Sequence, residues 1–246
     1  MGARLSINSS FYKNNLMFRG GYTMKIVSWN CNGGFRKKFE AIKELDADIY
    51  VIQECENPEL TKNKAYKEFS KNSFWISKDK NKGLGVFAKD NISLKPKDWD
   101  NYGLKYFLPI NINNTFDLIA VWAHNPGHIE EYFVYQNIYF NHFNKNTIII
   151  GDFNSSAIWD DKHKERCHTA VVNKLLEKDI KSVYHCLNDE EQGKETVPTF
   201  YMYRHIDKGY HIDYCFTNTD KVKEFQIGDP DKWLQYSDHM PLIVTI

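Results

Sequence analysis

Thr147-Ile148-Ile149-Ile150-Gly151-Asp152-Phe153-Asn154 reads as a strand with chemistry at its end. Three consecutive β-branched apolar residues suit a strand covered on both faces. The run stops at Gly151, and directly after it an acid and an amide stand two residues apart. With Phe153 between them, the period-two geometry of extended chain aims Asp152 and Asn154 to the same side. Alone, the pair would be an ordinary turn, because Asp and Asn readily bond their own backbone. A carboxylate and a carboxamide at the mouth of a buried strand also suit a metal ion or a phosphate.

Outward from this stretch the same arrangement recurs. Lys25 to Cys31 reads as a first strand, ended by Asn32-Gly33-Gly34, and Asp48 to Glu54 as a second, buried in the middle and polar at its end. Residues 36–45 between them look helical, with Phe39, Ile42 and Leu45 three apart. A Lys-rich helix near 60–69 reads as a solvated face. The middle third is a meander of strands at 73–77, 83–89, 104–110 and 116–124. Helices are expected at 127–142 and 167–178, and strands at 197–202, 210–217, 221–227 and 241–246. Mixed strands and helices with adjacent hairpins favour α+β with two packed sheets over strict βαβ alternation.

The 246 residues suit one large domain or two small ones, and 16 Phe with 15 Tyr supply ample core material. Formal charge is zero, but residues 1–23 hold Arg4, Lys13 and Arg19 and no acid, so acids exceed bases by three in the remainder. No global basic field advertises a nucleic-acid partner; a local patch or a metal ion would have to do that work. Five widely spaced cysteines, odd in number, point to reduced thiols and a cytoplasmic compartment rather than a disulfide frame. His163, Cys167, His168, His185 and Cys186 could gather zinc, but their spacing matches no paired-ligand signature. No apolar run approaches the ~18 residues of a membrane span. The first residues are basic but carry no apolar h-region or small-residue cleavage site, so no secretory signal is expected. Residues 1–23 read as a loose leader or cloning remnant, with Met24 as a natural start. No internal repeat or linker interrupts 24–246, and no obligate protein partner is indicated.

Polar residues stand repeatedly at the ends of expected strands: Asn30, Glu54, His124, Asp152 with Asn154, Asp213, and Asp238 with His239. Each alone has a bland reading as a turn former, cap or surface acid. Their joint occurrence is different, because acids placed just after buried apolar runs are costly unless something pairs with them.

Ser28-Trp29-Asn30-Cys31-Asn32-Gly33, Gln53-Glu54, Gly151-Asp152-Phe153-Asn154, His211-Ile212-Asp213-Tyr214 and Ser237-Asp238-His239 follow one another in the order found in the endonuclease/exonuclease/phosphatase superfamily. The sequence resembles that superfamily over residues 24–246. The resemblance implies a single domain of four αββα layers: two packed, mainly antiparallel sheets flanked by helices, their strand ends meeting in one cleft. It also implies that Glu54, helped by Asn30 and Asp238, holds Mg²⁺ or Mn²⁺ through hard oxygen ligands. Asp213 would orient His239, which would act as a base or a phosphate ligand. Asp152 would orient or deprotonate the attacking water, and Asn154 would bind a non-bridging oxygen. His124 stands where some relatives have tyrosine and would protonate the leaving oxygen or bind the phosphate. Histidine suits that task because its ordinary pKa of ~6.5 permits both proton states near neutrality.

Departures narrow the substrate. Abasic-site endonucleases of the superfamily usually show Gln-Glu-x-Lys, and Glu56 stands here at the lysine position. They usually carry arginine before the Ile/Leu-Asp-Tyr step, where His211 stands. The expected activity is a metal-dependent phosphodiester hydrolase, foremost a nuclease with DNA or RNA as its partner. Hydrolysis of a small phosphate ester or phospholipid headgroup is the alternative, and a catalytically silent binding scaffold a third. Trp159, Phe200, Tyr201, Tyr203, Tyr210 and Trp233, with Arg204 and Lys208 near by, could grip single strands by stacking, or simply pack. The expected substrate contacts are Asn32, Arg36, His211, Tyr210 and Trp159.

Overall fold

A computed structural model describes residues 23–124 and 127–246. The expected leader therefore lies outside the described residues up to residue 22. In the first half the strands are β1 (Lys25–Asn30), β2 (Ile49–Cys55), β3 (Ser73–Asp79), β4 (Lys82–Ala88), β5 (Leu94–Pro96), β6 (Phe107–Ile112) and β7 (Phe116–Trp122). The second half adds β8 (Thr147–Asp152), β9 (Lys181–Ser182), β10 (Phe200–Tyr201), β11 (Gly209–Tyr210), β12 (Asp213–Thr217), β13 (Glu224–Ile227) and β14 (Leu242–Thr245). The helices are α1 (Phe39–Lys43), α2 (Lys64–Phe69), α3 (His128–Tyr139), α4 (Asp160–His163), α5 (His168–Leu176), α6 (Val183–Asn188) and α7 (Pro230–Trp233).

Two six-stranded sheets form, ordered β13-β14-β1-β2-β4-β3 and β5-β6-β7-β8-β12-β9. The β1–β2 and β7–β8 pairs are parallel and the other pairs within the two sheets antiparallel. Strand alternation then builds the layers. Ile26, Val51 and Val86 from one sheet meet Ile110, Ala120, Ile148 and Ile150 from the other in a shared core. The alternate residues Val27, Trp29, Tyr50 and Ile52 face Phe35, Phe39, Tyr66 and Trp233 on one outer side. Ile119, Val121, Ile149 and Phe216 face Ile129, Tyr132, Val171 and Leu175 of α3 and α5 on the other. The expected four-layer αββα sandwich is the observed fold.

Several boundaries differ from the sequence reading. The expected helix at 36–45 is a 3-10 turn over Phe35–Lys37 followed by the short α1, because Gly34 enters at φ 67° and Lys38 breaks the helical angles. The expected strand at 197–202 shrinks to β10, paired with β11 and bridged at Phe200 to His239, and Met202–Arg204 turns away with Tyr203 at φ 57°. The expected strand at 210–217 divides into β11 and β12. β8 does not stop at its glycine but carries Asp152 as its last residue. β5 and α6 had no forecast at all. Cys31, Cys55 and Cys215 are buried free thiols, whereas Cys186 is exposed. No zinc group assembles among the described residues: His163 pairs with Glu130, His168 with Ser155 and Gln192, and His185 with Ser182 and Glu195. No described helix is long and apolar enough to cross a membrane.

Candidate active site

The cleft is built where the two sheets end together. Gly151 lets the parallel β7–β8 pair close tightly: at φ 152°, a Cβ there would lie 1.9 Å from the Val121 carbonyl oxygen. The next residue, Asp152, points with Ile148 and Ile150 into the space between the sheets. β12 pairs antiparallel with β8 so that Asp213 stands directly opposite Asp152. From the other sheet, Asn30 donates through Nδ2 to Asp152 Oδ2 at 2.9 Å, tying the two sheets together at the site.

His239 arrives on the segment leading into β14. Its Nδ1 lies 2.9 Å from Asp213 Oδ2 and 3.2 Å from Oδ1. The backbone around it is fixed from three directions. Trp29 Nε1 donates to the His239 carbonyl at 2.9 Å, the His239 amide donates to Ser237 Oγ, and Ser237 Oγ donates to the Asn30 carbonyl at 2.7 Å. Thr199 donates to Asp213 Oδ2 at 2.7 Å while its own oxygen accepts the Ile212 and Asp213 amides. This hydroxyl is a positioning group the sequence reading missed; its only signal was a threonine directly before Phe200.

Asp152, Asp213 and His239 are all buried, and their ligand-capable atoms lie within 4.8 Å of one another. Burial pushes Asp152 above the ordinary carboxylate range, and the Asp213 charge adds to the push; His239 and the Asn30 bond oppose it. Burial alone would pull His239 down, but the carboxylates of Asp213 and Asp152, the Asp213 hydrogen bond and the Asp238 charge together hold its imidazolium well above the usual histidine range. The result is a pre-paired imidazole–carboxylate couple beside a second carboxyl that binds a proton readily.

Asn154 stands at φ 46°, and its backbone amide bonds Asp152 Oδ1 at 2.8 Å. Its side-chain amide spans Asp152 Oδ2 at 2.9 Å and the Ala123 carbonyl at 3.0 Å, so in this arrangement it orients Asp152. His124 follows β7 one residue after Ala123, half-buried against Trp122 and Tyr106 at ring separations of 4.5 and 5.8 Å.

Glu54 sits on a bulge in β2, where pairing with β4 shifts between Gln53 and Cys55, and takes φ 61°. Its Oε2 accepts from Lys82 Nζ at 2.5 Å. The neighbouring Asn30 pairs in register with Gln53, its Oδ1 accepts the Asn32 amide, and Asp238 is linked to Asn30 through Ser237. Two carboxylates and a carboxamide are hard oxygen donors of the kind Mg²⁺ and Mn²⁺ prefer. By the chemistry of its donors the set fits a divalent ion, which would take the place that the Lys82 ammonium holds against Glu54 in this structure.

The remaining expected contacts divide. Trp159 and Tyr210 pack at 5.3 Å, Tyr210 and Phe200 at 6.5 Å, and Phe200 and the His239 ring at 4.7 Å, forming one aromatic wall that runs from the surface to the imidazole. Tyr203 is exposed. Tyr201 and Trp233 are buried in the outer core of the first sheet and do not belong to the wall. Asn32 is exposed at φ 51° beside Asn30. Arg36 is exposed and bonded to Glu56 through both its guanidinium and its backbone amide. His211 is buried against Tyr184 and donates to the Val197 carbonyl at 2.8 Å.

A family model described as the Endonuclease/Exonuclease/phosphatase family matches residues 27–239. No curated protein matches the sequence. Solved structures with the same fold include a 3′ phosphatase from Neisseria bound to product DNA hairpin, 15% identical at a TM-score of 0.65 over 90% of this chain and 98% of that one. An AP endonuclease from Archaeoglobus fulgidus is 17% identical at a TM-score of 0.65, with the same coverage of 90% and 98%. The endonuclease domain of a telomere-specific non-LTR retrotransposon is 17% identical at a TM-score of 0.61 over 92% of this chain and 98% of that one.

Proposed function

The chain belongs to the endonuclease/exonuclease/phosphatase family, and from that premise we propose that it is a Mg²⁺- or Mn²⁺-dependent phosphodiester hydrolase, a nuclease acting on DNA or RNA. The observation that carries this reading is the bonded set Asn30–Asp152 and Asp213–His239, drawn from both sheets into one cleft. Glu54, Asn30 and Asp238 would hold the ion. Bound there, the metal supplies Lewis-acid polarisation of a phosphoryl oxygen and of the leaving group.

The chain's own residues do the rest. Asp213, held by Thr199, keeps Nδ1 of His239 engaged and so turns Nε2 toward the reacting phosphate. Asp152, aimed by Asn30 and both amides of Asn154, receives a proton from the attacking water; its affinity for that proton is raised by burial. His124 gives a proton to the departing oxygen or binds the phosphate. Phe200, Tyr210 and Trp159 offer flat apolar faces for a base or sugar next to the scissile bond. A polynucleotide substrate is also in keeping with the DNA named for the Neisseria structure. The 3′ phosphatase activity named for that same Neisseria protein favours a phosphate monoester as the second reading.

A panel of single- and double-stranded DNA, RNA and small phosphoesters, each in Mg²⁺ and Mn²⁺, tests the proposal. Cleavage of a nucleic acid that EDTA abolishes is expected, with near-complete loss in Glu54→Ala and His239→Ala. Turnover of small esters alone would replace the nuclease reading by the phosphatase one. Metal-dependent binding without turnover of any member would leave only a scaffold.

A further inference from the structure

Residues 189–197 form a strap over the surface between α6 and β10, and three buried histidines hold it down. His168 of α5 has Nε2 3.0 Å from Gln192 Oε1, and His185 of α6 has Nε2 3.0 Å from Glu195 Oε1. His211, ahead of β12, donates from Nδ1 to the Val197 carbonyl at 2.8 Å. The three rings pack around Tyr214, with centroids 4.6, 6.2 and 5.0 Å from its own. Tyr184 adds a further tie, donating to Glu190 Oε2 at 2.8 Å and accepting the Val197 amide at 3.1 Å.

This bonding suits neutral imidazoles. His168 Nδ1 lies 2.8 Å from Ser155 Oγ and His185 Nδ1 2.7 Å from Ser182 Oγ, hydroxyls that can donate to a bare ring nitrogen. His211 Nε2 is buried without a hydrogen-bond partner, so a proton on it would create an N–H with nothing to meet. Asp160, Glu190, Glu195 and Asp213 are the acids that face the rings. Asp160 caps the Thr169 amide, Glu190 is bonded to Tyr184 and Thr196, and Asp213 to His239. Among the described residues that leaves Glu195 as the one acid bonded to a ring of the cluster. Burial would raise its carboxyl, but the bonds from His185 and the Gly193 amide bring it down to about 2, so it stays ionised in mild acid. One carboxylate can balance one imidazolium, not three. Burial accordingly pulls His168 down to about 4 and His211 below the ordinary histidine range.

The strap also backs the site. Just past its end come Thr199, with its hydroxyl on Asp213, and Phe200, with its ring 4.7 Å from that of His239. Gly193 rests on the turn that carries Trp159: a Cβ there would lie 3.4 Å from Ala157 Cβ and Ile158 Cγ2. We propose that residues 189–197 are an acid-released strap, lifted when the histidine cluster takes up protons, so that Thr199 and Phe200 lose their backing on the Asp213–His239 couple. The consequence for turnover rests on the hydrolase reading; the release itself does not. An open strap lets His168 and His211 take protons at the unfolded value of ~6.5, whereas the closed one resists them. Closure is therefore complete above ~6.5 and is lost as pH falls toward the folded values.

Hydrogen–deuterium exchange of the full chain at pH 7 and pH 5, corrected for intrinsic rates, tests the release. The reporting amides are those of Gly193, Thr196 and Val197, bonded to Glu195, Glu190 and Tyr184; Ile149 and Ile150 in β8 are the reference. Between the two pH values protection of the strap should fall roughly 20-fold if one proton enters on opening and roughly 500-fold if two do, while β8 keeps its own. His168→Gln and His211→Asn each retain a carboxamide N–H to reach the strap and remove the titrating ring. Each should lose one proton's share of the pH dependence, and turnover of the double variant relative to the native chain should rise from pH 7 to pH 5. Undiminished protection of the strap, an equal loss in β8, or an unchanged dependence in both variants overturns the proposal. If a variant has already lost the strap at pH 7, the native chain's own dependence decides. A constant turnover ratio with a strap that opens cuts its tie to the couple. Release in acid by a chain that hydrolyses no phosphoester overturns the hydrolase reading and leaves the strap standing.

Discussion

Asp152 is fully buried and accepts three hydrogen bonds, from Asn30 Nδ2 and from both the backbone and side-chain amides of Asn154, yet its carboxyl still binds its proton more tightly than a free aspartate. A raised carboxyl pKa means the folded state takes up a proton more readily than the unfolded one, so stability is lost as pH rises from the unfolded value of ~3.9 to about 7, and the cost is complete above that. Asp152→Asn is therefore expected to lower kcat by at least about 10²-fold and, although its NH₂ must face donors that now meet a carboxylate, to gain Tm relative to the native chain between pH 4.5 and pH 8; a difference in Tm that does not change with pH would show that the carboxyl does not titrate in this range. His168 has the opposite consequence. Burial pulls it down to about 4, and it stays neutral between Ser155 Oγ and Gln192 Oε1. Its folded pKa lies below the unfolded value of ~6.5, so its contribution is complete above that value and is lost as pH falls toward 4. On the order of 3 kcal/mol rides on this one group. Comparing urea midpoints of the native chain and His168→Phe from pH 7 to 4.5 should show a flatter dependence in the variant.

At the scale of elements, β8 carries the cleft because it is buried on both faces and closes on β7 through a glycine. Gly151→Ala would drive a methyl into the Val121 carbonyl, at a backbone angle an L residue resists. Loss of about 3 kcal/mol or more is expected, read as a drop in the denaturation midpoint, with activity falling further because Asp152 hangs from the same residue. The bulge in β2 acts similarly for Glu54: the shifted register and φ 61° take its side chain out of strict alternation and present it to Lys82. The β10–β11 ribbon is only two residues long on each strand, yet it holds Phe200 against His239 and Tyr210 against Phe200 and Trp159.

For the molecule as a whole, an ion bound by Glu54, Asn30 and Asp238 would bind the folded chain alone and so stabilise it. At one hundred times its Kd, Mn²⁺ would add about 2.7 kcal/mol, which for a domain of this size is a rise in Tm of roughly 5–10 °C. Glu54→Gln should cancel that rise, and a full rise in the variant would place the ion elsewhere. The sequence by itself determined which residues become buried strands and which polar groups end them, because β-branched runs and period-two alternation are local properties of the chain. The strands at 25–31 and 147–151 and the packing of two sheets were legible for that reason, whereas the four αββα layers were implied by the resemblance to the superfamily. Partners across the fold were not: Thr199 on Asp213, Lys82 on Glu54 and Asn30 on Asp152 lie 14, 28 and 122 residues apart. Nor could spacing show that Trp233 packs inside while Phe200 reaches the imidazole. Those outcomes were decided by tertiary structure, since hydrogen bonds and charge pairs depend on distance in space, which chain spacing does not fix until both sheets have closed on their common core.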